Sequence, residues 1–539
     1  MKSGGFNALF YLTIVLKINR RHHACRRGDN MKKRNILILV AVLVIALVAV
    51  LFLRPKNSSE AVDYAEVTYD VDYSDMNALF QESSYDYHLF ELPEEPDGSV
   101  AFVGDPMMYY ENGTYYIYYL KEGGNSFHHS VFLTTTEDFI TYKHYNDPII
   151  EAEAGKQDDW IGTGSVVKVN DKYYFFYTGH VGGGREFNET IMLAEGTSPL
   201  EFVKKEGWEI TPPAEIKQKT DFRDPQAYYN AEKDVIEMTV TASVSGVAKL
   251  HKFTVSSDLS EVTYDGEILS DPLEAFWNLE CSDTFKVGDR WYITYSGQDD
   301  TLWYASGDSQ FGPYDEPRRI DDKLFYAAKH IEDGENSYMI GWLRRSQTPA
   351  SLDEISAWAG NLQVQKINQN PDGSLYFSPV DNVKALFKDR RPLIAKGSSV
   401  SLKAENEKVI APVTNAYERF MITGTFTYTG KGDFGLSFDY DGTPETSKLI
   451  TISPSIGYMS FDLNNGDTNI TGAAADLKEG ETYSFTYMQE GSCGVFYIDT
   501  IGSLTVRVYG VSGRQVSLFA DGCTLEVNDL AVYTAGFAN

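Results

Sequence analysis

Three acidic residues stand out by type and by place: Asp105 in Gly104-Asp105-Pro106, Asp224 in Arg223-Asp224-Pro225, and Glu280 in Glu280-Cys281. Two carboxyl groups facing one cleft can cleave a glycosidic bond, one staying ionised beneath the reacting carbon and the other protonated beside the leaving oxygen. A third can hold sugar hydroxyls and tighten its hydrogen bonds as positive charge develops. For any single Asp-Pro the simpler account is a turn, because both residues open turns. Asp147-Pro148 and Asp271-Pro272 are read that way. What sets the three acids apart is a shared phase.

That phase is measured against a run of aromatic residues that recurs along the chain. Its clear copies are Tyr115-Tyr116-Ile117-Tyr118-Tyr119, Tyr173-Tyr174-Phe175-Phe176-Tyr177 and Trp291-Tyr292-Ile293-Thr294-Tyr295, each preceded by a turn. Weaker copies follow Val235 and Ser337. Asp105 lies ten residues before Tyr115, Asp224 eleven before Val235, and Glu280 eleven before Trp291. The same slot holds Gly162-Thr163-Gly164-Ser165 in the second copy and Leu324-Phe325-Tyr326-Ala327 in the fifth. A spacing of 47–62 residues accommodates about four short strands plus loops, which is one propeller blade. Five copies predict five blades. With the slot on the innermost strand of each blade, acids far apart in sequence converge on one axis.

The 539-residue chain exceeds one compact core, and the grain of its sequence changes along its length. The expected architecture is all-β: a five-bladed β-propeller followed by a C-terminal β-sandwich, with an N-terminal membrane-anchor helix. Residues 1–30 read as an upstream extension, because Met31-Lys32-Lys33-Arg34 forms a second plausible start ahead of the apolar run Ile36 to Leu53. Residues 31–55 then read as an anchor, 56–80 as an acidic tether, 81–385 as the propeller, and 386–400 as a linker. Over 401–539 period-two alternation, as in Tyr483-Ser484-Phe485-Thr486-Tyr487, predicts the sandwich. Basic residues before the anchor and acidic sequence after it place the bulk of the chain outside the cytoplasm, tethered to the membrane, or secreted if the segment is cleaved.

The net charge of −30 disfavours nucleic acid and anionic ligands and suits a neutral substrate. Four cysteines are too few for a disulfide scaffold, and Cys493 and Cys523 are left as either a pair or two small core residues. Gly182-Gly183-Gly184 lacks the residues of a phosphate loop, and His128-His129 reads as part of a loop rather than a metal site. The expectation is no cofactor, no metal, and an oligo- or polysaccharide substrate. Most repeated aromatics belong to the packing between blades. Trp160, Tyr326 and Trp342 are singled out as sugar contacts.

Taken together, Asp105-Pro106, Phe222-Arg223-Asp224-Pro225 and Glu280-Cys281 resemble the three signature motifs of glycoside hydrolase family 32, the invertase, inulinase and levanase family. The similarity extends to Trp160-Ile161-Gly162-Thr163-Gly164-Ser165, Phe325-Tyr326-Ala327-Ala328, Ile340-Gly341-Trp342 and Trp358-Ala359-Gly360. It implies a retaining hydrolase of β-fructofuranosides in fructans, fructo-oligosaccharides or sucrose. Asp105 would be the nucleophile, Glu280 the acid and base, Asp224 the stabiliser of the transition state, and Arg223 the residue orienting them. Gly104 and Met107-Met108 depart from the family pattern, which has Asn before the first acid and Asn-Gly after its Pro. Two alternatives are an arabinan or xylan hydrolase like those of family 43, and a carbohydrate-binding propeller with little turnover.

Overall fold

Each of the five aromatic runs becomes the second strand of a four-stranded antiparallel sheet. The computed structural model describes residues 88–535, except 96–99, 124–125, 217–220, 273, 349–351, 353, 395–397, 406–407, 439–446 and 512. The expected anchor, the upstream extension and the acidic tether lie outside the described residues. Among those described, no helix is long and apolar enough to cross a membrane.

The second strands read as unbroken apolar runs because both of their faces are covered. Lys172–His180, Val235–Val244 and Ser337–Arg345 are buried along almost their whole length. The outermost strands Tyr142–Ile150 and Glu201–Ile210 are largely open to solvent and carry the charged residues. Asp147-Pro148 lies inside the first of these strands rather than in a turn. An edge strand tolerates proline because one side of its backbone needs no partner, and the pairing there is irregular. Asp271-Pro272 does form a turn, with the Asp271 carboxylate accepting the backbone N–H groups of Ala275 and Phe276 at 2.7 and 2.8 Å.

The first strands of the five sheets are Gly104–Glu111, Trp160–Val169, Arg223–Asn230, Leu279–Val287 and Phe325–Glu332. Each contacts the first strands of its two neighbours, and the fifth contacts the first, which closes the ring. The segment entering the first blade strengthens this closure by bridging to the fifth blade, Glu91 to Leu362 and Val103 to Gly360.

Each of these inner strands also carries one extra residue at the same level. Pairing breaks between Gly104 and Met107, Gly162 and Gly164, Arg223 and Gln226, Glu280 and Asp283, and Tyr326 and Lys329. The bulged residues Asp105, Asp224, Cys281 and Ala327 take positive φ, from +37° to +57°. Such backbone costs roughly 1–3 kcal/mol per non-glycine residue and collects at functional sites.

After a single helical turn at Asp381–Lys384, the chain enters an eleven-stranded, sandwich-like sheet. Its long strands Arg419–Phe438 and Gln515–Ala535 pair with each other and carry the rest. The stretch 386–400, expected to be a linker, contributes the strand Phe387–Pro392 to this sheet. Nearly all of that strand is exposed, so its sequence shows no alternation. Cys281, Cys493 and Cys523 are buried free thiols, so the last two do not pair.

Propeller and sandwich share one core, in which Phe377, Val380 and Phe387 pack with Met421, Met488 and Val495. A buried carboxylate, Asp321, crosses the same seam, accepting bonds from Gln365, the Ser503 hydroxyl and both the N–H and hydroxyl of Thr505 at 2.8–3.0 Å. Arg507, only 1% exposed, reaches from the sandwich into the fifth blade. Its guanidinium donates to the carbonyls of Leu343 and Arg344 at 2.9 and 3.1 Å and to the Asn361 side chain at 2.9 Å. Arg507→Met removes these donors and strands buried acceptors, so it is expected to cost on the order of 3 kcal/mol. A denaturant titration checks this; an unchanged midpoint would show that the grip contributes nothing.

Candidate active site

The bulges sort the inner-strand residues into two tiers. One tier holds the bulged residues Asp105, Thr163, Asp224, Cys281 and Ala327; the other holds those just before them, Gly104, Gly162, Arg223, Glu280 and Tyr326. The two aspartates therefore share a level, and Glu280 stands one residue off it, beside Arg223 and Tyr326. The sequence phase brought the three acids to one place but missed this offset.

On its tier, Glu280 is gripped at both oxygens. The Arg223 guanidinium donates to one at 2.6 Å, and the Tyr326 hydroxyl donates to the other. Arg223 is fixed in turn by Asp221 at 2.8 Å and by Glu189 at 3.5 Å, while Glu189 also accepts the backbone N–H of Phe222 at 2.8 Å. These neighbouring carboxylates hold the buried guanidinium firmly charged. Glu189 contacts His180 as well and is held below the usual carboxylate range despite burial.

The aspartate tier is more deeply enclosed. Asp105 accepts the Trp342 indole N–H at 3.1 Å and the Thr163 hydroxyl at 3.2 Å. Desolvation outweighs these bonds, so the Asp105 carboxyl is pushed up to about 6. Asp224, 3% exposed, accepts the N–H of Cys281 at 2.8 Å, and its own N–H is held by the Thr178 hydroxyl at 2.9 Å. Burial raises it to about 7, against the pull of Arg223. Burial thus lifts both aspartates above the usual carboxylate range.

Of the three residues expected to touch sugar, Trp342 is fully buried and offers no ring face to a ligand. It lies beneath the site and holds Asp105. Tyr326, 8% exposed, has the Arg344 guanidinium 5.0 Å from its ring centre. Trp160 stays partly exposed, stacked on His128 at 4.2 Å. His128 and His129 belong to the strand Ser126–Thr136 rather than to a loop. Among the described residues no group of three or more His, Cys, Asp or Glu could hold a metal ion.

The site also includes residues that the sequence did not single out. Thr163 occupies the acid slot of the second blade, so its phase was a usable signal. Glu189 and Thr178 reach the site from other strands of that blade, and no local pattern marks them. Lys329 is buried two residues past the fifth bulge, where it donates to the Gly164 carbonyl at 3.0 Å and draws down Asp105.

The family model for the glycosyl hydrolases family 32 N-terminal domain matches residues 99–379, the stretch that forms the five-bladed ring and carries its three acids. The chain belongs to that family. Over 275 residues, 47% of this chain, it is 26% identical to the sucrose-6-phosphate hydrolase of Escherichia coli, and the match spans 56% of that relative's length. The fold resembles that of sucrose-6-phosphate hydrolase from Lactobacillus gasseri, with 19% identity and a TM-score of 0.66 over 86% of this chain and 96% of the other. It equally resembles fructan 1-exohydrolase IIa from Cichorium intybus, with 18% identity and a TM-score of 0.66 over 84% of this chain and 97% of the other. Exo-inulinase from Aspergillus awamori gives 15% identity and a TM-score of 0.65 over 84% and 98%.

The raised carboxyls have a consequence for stability. Between about pH 4 and 7 the folded site keeps protons that the unfolded chain has released, so its contribution to stability falls as pH rises through that window. Asp105→Asn keeps an acceptor for Trp342 and removes the buried charge. It should stabilise the protein by about 2–3 kcal/mol at pH 7.5, with the gain gone at pH 4. Thermal melts at the two pH values check this, and an Asn variant less stable at pH 7.5 would contradict it.

Proposed function

We propose that this protein hydrolyses β-fructofuranosidic bonds with retention of configuration, acting on an uncharged fructan, fructo-oligosaccharide or sucrose. The observation that carries the reading is the split of two carboxyl groups between adjacent tiers, each fixed by its own donors, around a third buried acid. Family membership supplies the reaction class.

In the proposed sequence the Asp105 carboxylate attacks the anomeric carbon of the fructosyl unit as Glu280 gives its proton to the departing oxygen. The glycosidic C–O bond breaks and an ester to Asp105 forms. The proton loss leaves Glu280 charged, facing Arg223 at 2.6 Å, so the guanidinium stabilises the carboxylate as it appears. Glu280 then takes a proton from water, whose oxygen attacks the same carbon and releases Asp105. Asp224, enclosed beside them, holds sugar hydroxyls through both steps. Trp342 and Thr163 aim the nucleophile, and Tyr326 aims the acid.

The preference for an uncharged substrate rests on the net charge of −30 and on how the local cations are employed. Arg223 is bonded to Asp221, Glu189 and Glu280, and Arg344 is bonded to Asp300 at 2.8 Å. Location follows from the leader: the basic cluster Lys32-Lys33-Arg34 before the apolar run Ile36 to Leu53 supports a membrane tether, with the propeller on the outer side.

Incubation of the purified chain with sucrose, inulin and levan is expected to release fructose. Release from arabinosides and not from any fructoside would overturn the reading. Asp105→Ala and Glu280→Ala should each lower kcat by at least about a thousandfold, the scale of losing a nucleophile or an acid–base group. Near-normal turnover in either would refute its role.

A further inference from the structure

The wall beside Asp105 is built on a missing side chain. The Trp358 indole lies on the Cα of Gly104, so close that a Cβ there would come within 2.2 Å of the ring. Only glycine permits this approach. The ring stacks on His129 at 4.1 Å with planes 7° apart, and His129 meets Trp160 edge to face at 5.2 Å. Trp358, His129 and Trp160 each keep partial exposure, unlike Trp342 behind them. Gly104 immediately precedes Asp105, so this band borders the reacting group.

His129 has no use in the fold that accounts for its ring nitrogens. The residue keeps partial exposure, and no side-chain hydrogen bond occupies its ring among the described residues. Desolvation, with the nearby His128 and His180, lowers its pKa to about 3, which favours the neutral ring. A neutral imidazole offers one donor and one acceptor, the same pair a sugar hydroxyl presents. It adds no positive charge that would reward a phosphate.

We propose that Trp358, His129 and Trp160 form a specificity wall that receives an uncharged sugar ring beside Asp105, with His129 exchanging a hydrogen bond with one of its hydroxyls. This rests on the glycosidase reading and names the chemistry of its binding wall. His129→Phe keeps a flat ring on Trp358 and removes only the polar atoms, whereas His129→Ala removes the stack as well. Gly104→Asn drives Trp358 off its seat.

Steady-state kinetics on sucrose and inulin should show KM raised about tenfold in His129→Phe, the scale of one lost hydrogen bond, with kcat changed much less. KM should rise further in His129→Ala and Gly104→Asn. Unchanged KM in both His129 variants of a folded, active enzyme would overturn the wall and leave the fructosidase reading standing. Binding of sucrose, fructose, arabinose and sucrose 6-phosphate to the Asp105→Asn protein, followed by tryptophan fluorescence, separates the two claims. His129-dependent binding of an uncharged sugar upholds the wall even where no fructoside is cleaved. Sucrose 6-phosphate binding as tightly as sucrose would overturn the selection for uncharged rings.

Discussion

A regular strand sends its side chains alternately to two faces, so neighbouring residues on it do not face one site. The one-residue bulge at the same level of all five inner strands solves this, and the site depends on it. By breaking the pairing once per blade it turns each strand and frees local N–H groups, as where Cys281 donates to Asp224. It also sets the two-tier arrangement, with Arg223, Glu280 and Tyr326 side by side and the aspartates one step away. Positive φ at Asp105 and Asp224 is the strain this requires. The closed ring and the cores between its blades hold it in place.

Enclosure has a second effect on the acids. Burial alone would leave three neighbouring carboxyls protonated; full solvation would leave them all ionised and no different from one another. The fold sits between these limits by giving each acid a different set of donors: an indole and a hydroxyl for Asp105, a backbone amide for Asp224, a guanidinium and a phenol for Glu280. Distinct chemistry at three similar groups is thereby a product of their neighbours rather than of their type.

Much of this could be read in the sequence, because a propeller writes its period in aromatic runs buried on both faces. The five blades, the slot on their inner strands and the convergence of Asp105, Asp224 and Glu280 all followed from that period. The offset of Glu280 did not, since a bulge alters pairing without altering spacing. Trp342 was expected to touch sugar and lies beneath the site, because nothing in an apolar run says which rings face a ligand and which support a carboxylate. Glu189 and Thr178 reach the site through tertiary contacts that leave no local mark. The linker proved to be partly strand for the opposite reason: Phe387–Pro392 gains its order from its partner strand and not from its own pattern.

The grip of Arg507 on the fifth blade links the sandwich to the site in a way that sheet topology does not suggest. From its guanidinium the chain of contacts runs through the carbonyls of Leu343 and Arg344 to their neighbour Trp342, and from that indole to Asp105. A change in the sandwich that displaces Arg507 therefore bears on the strand that seats Trp342, and through it on the placing of Asp105. Without the sandwich those two carbonyls would turn to water for their donors, and the floor beneath the carboxylate would become a surface.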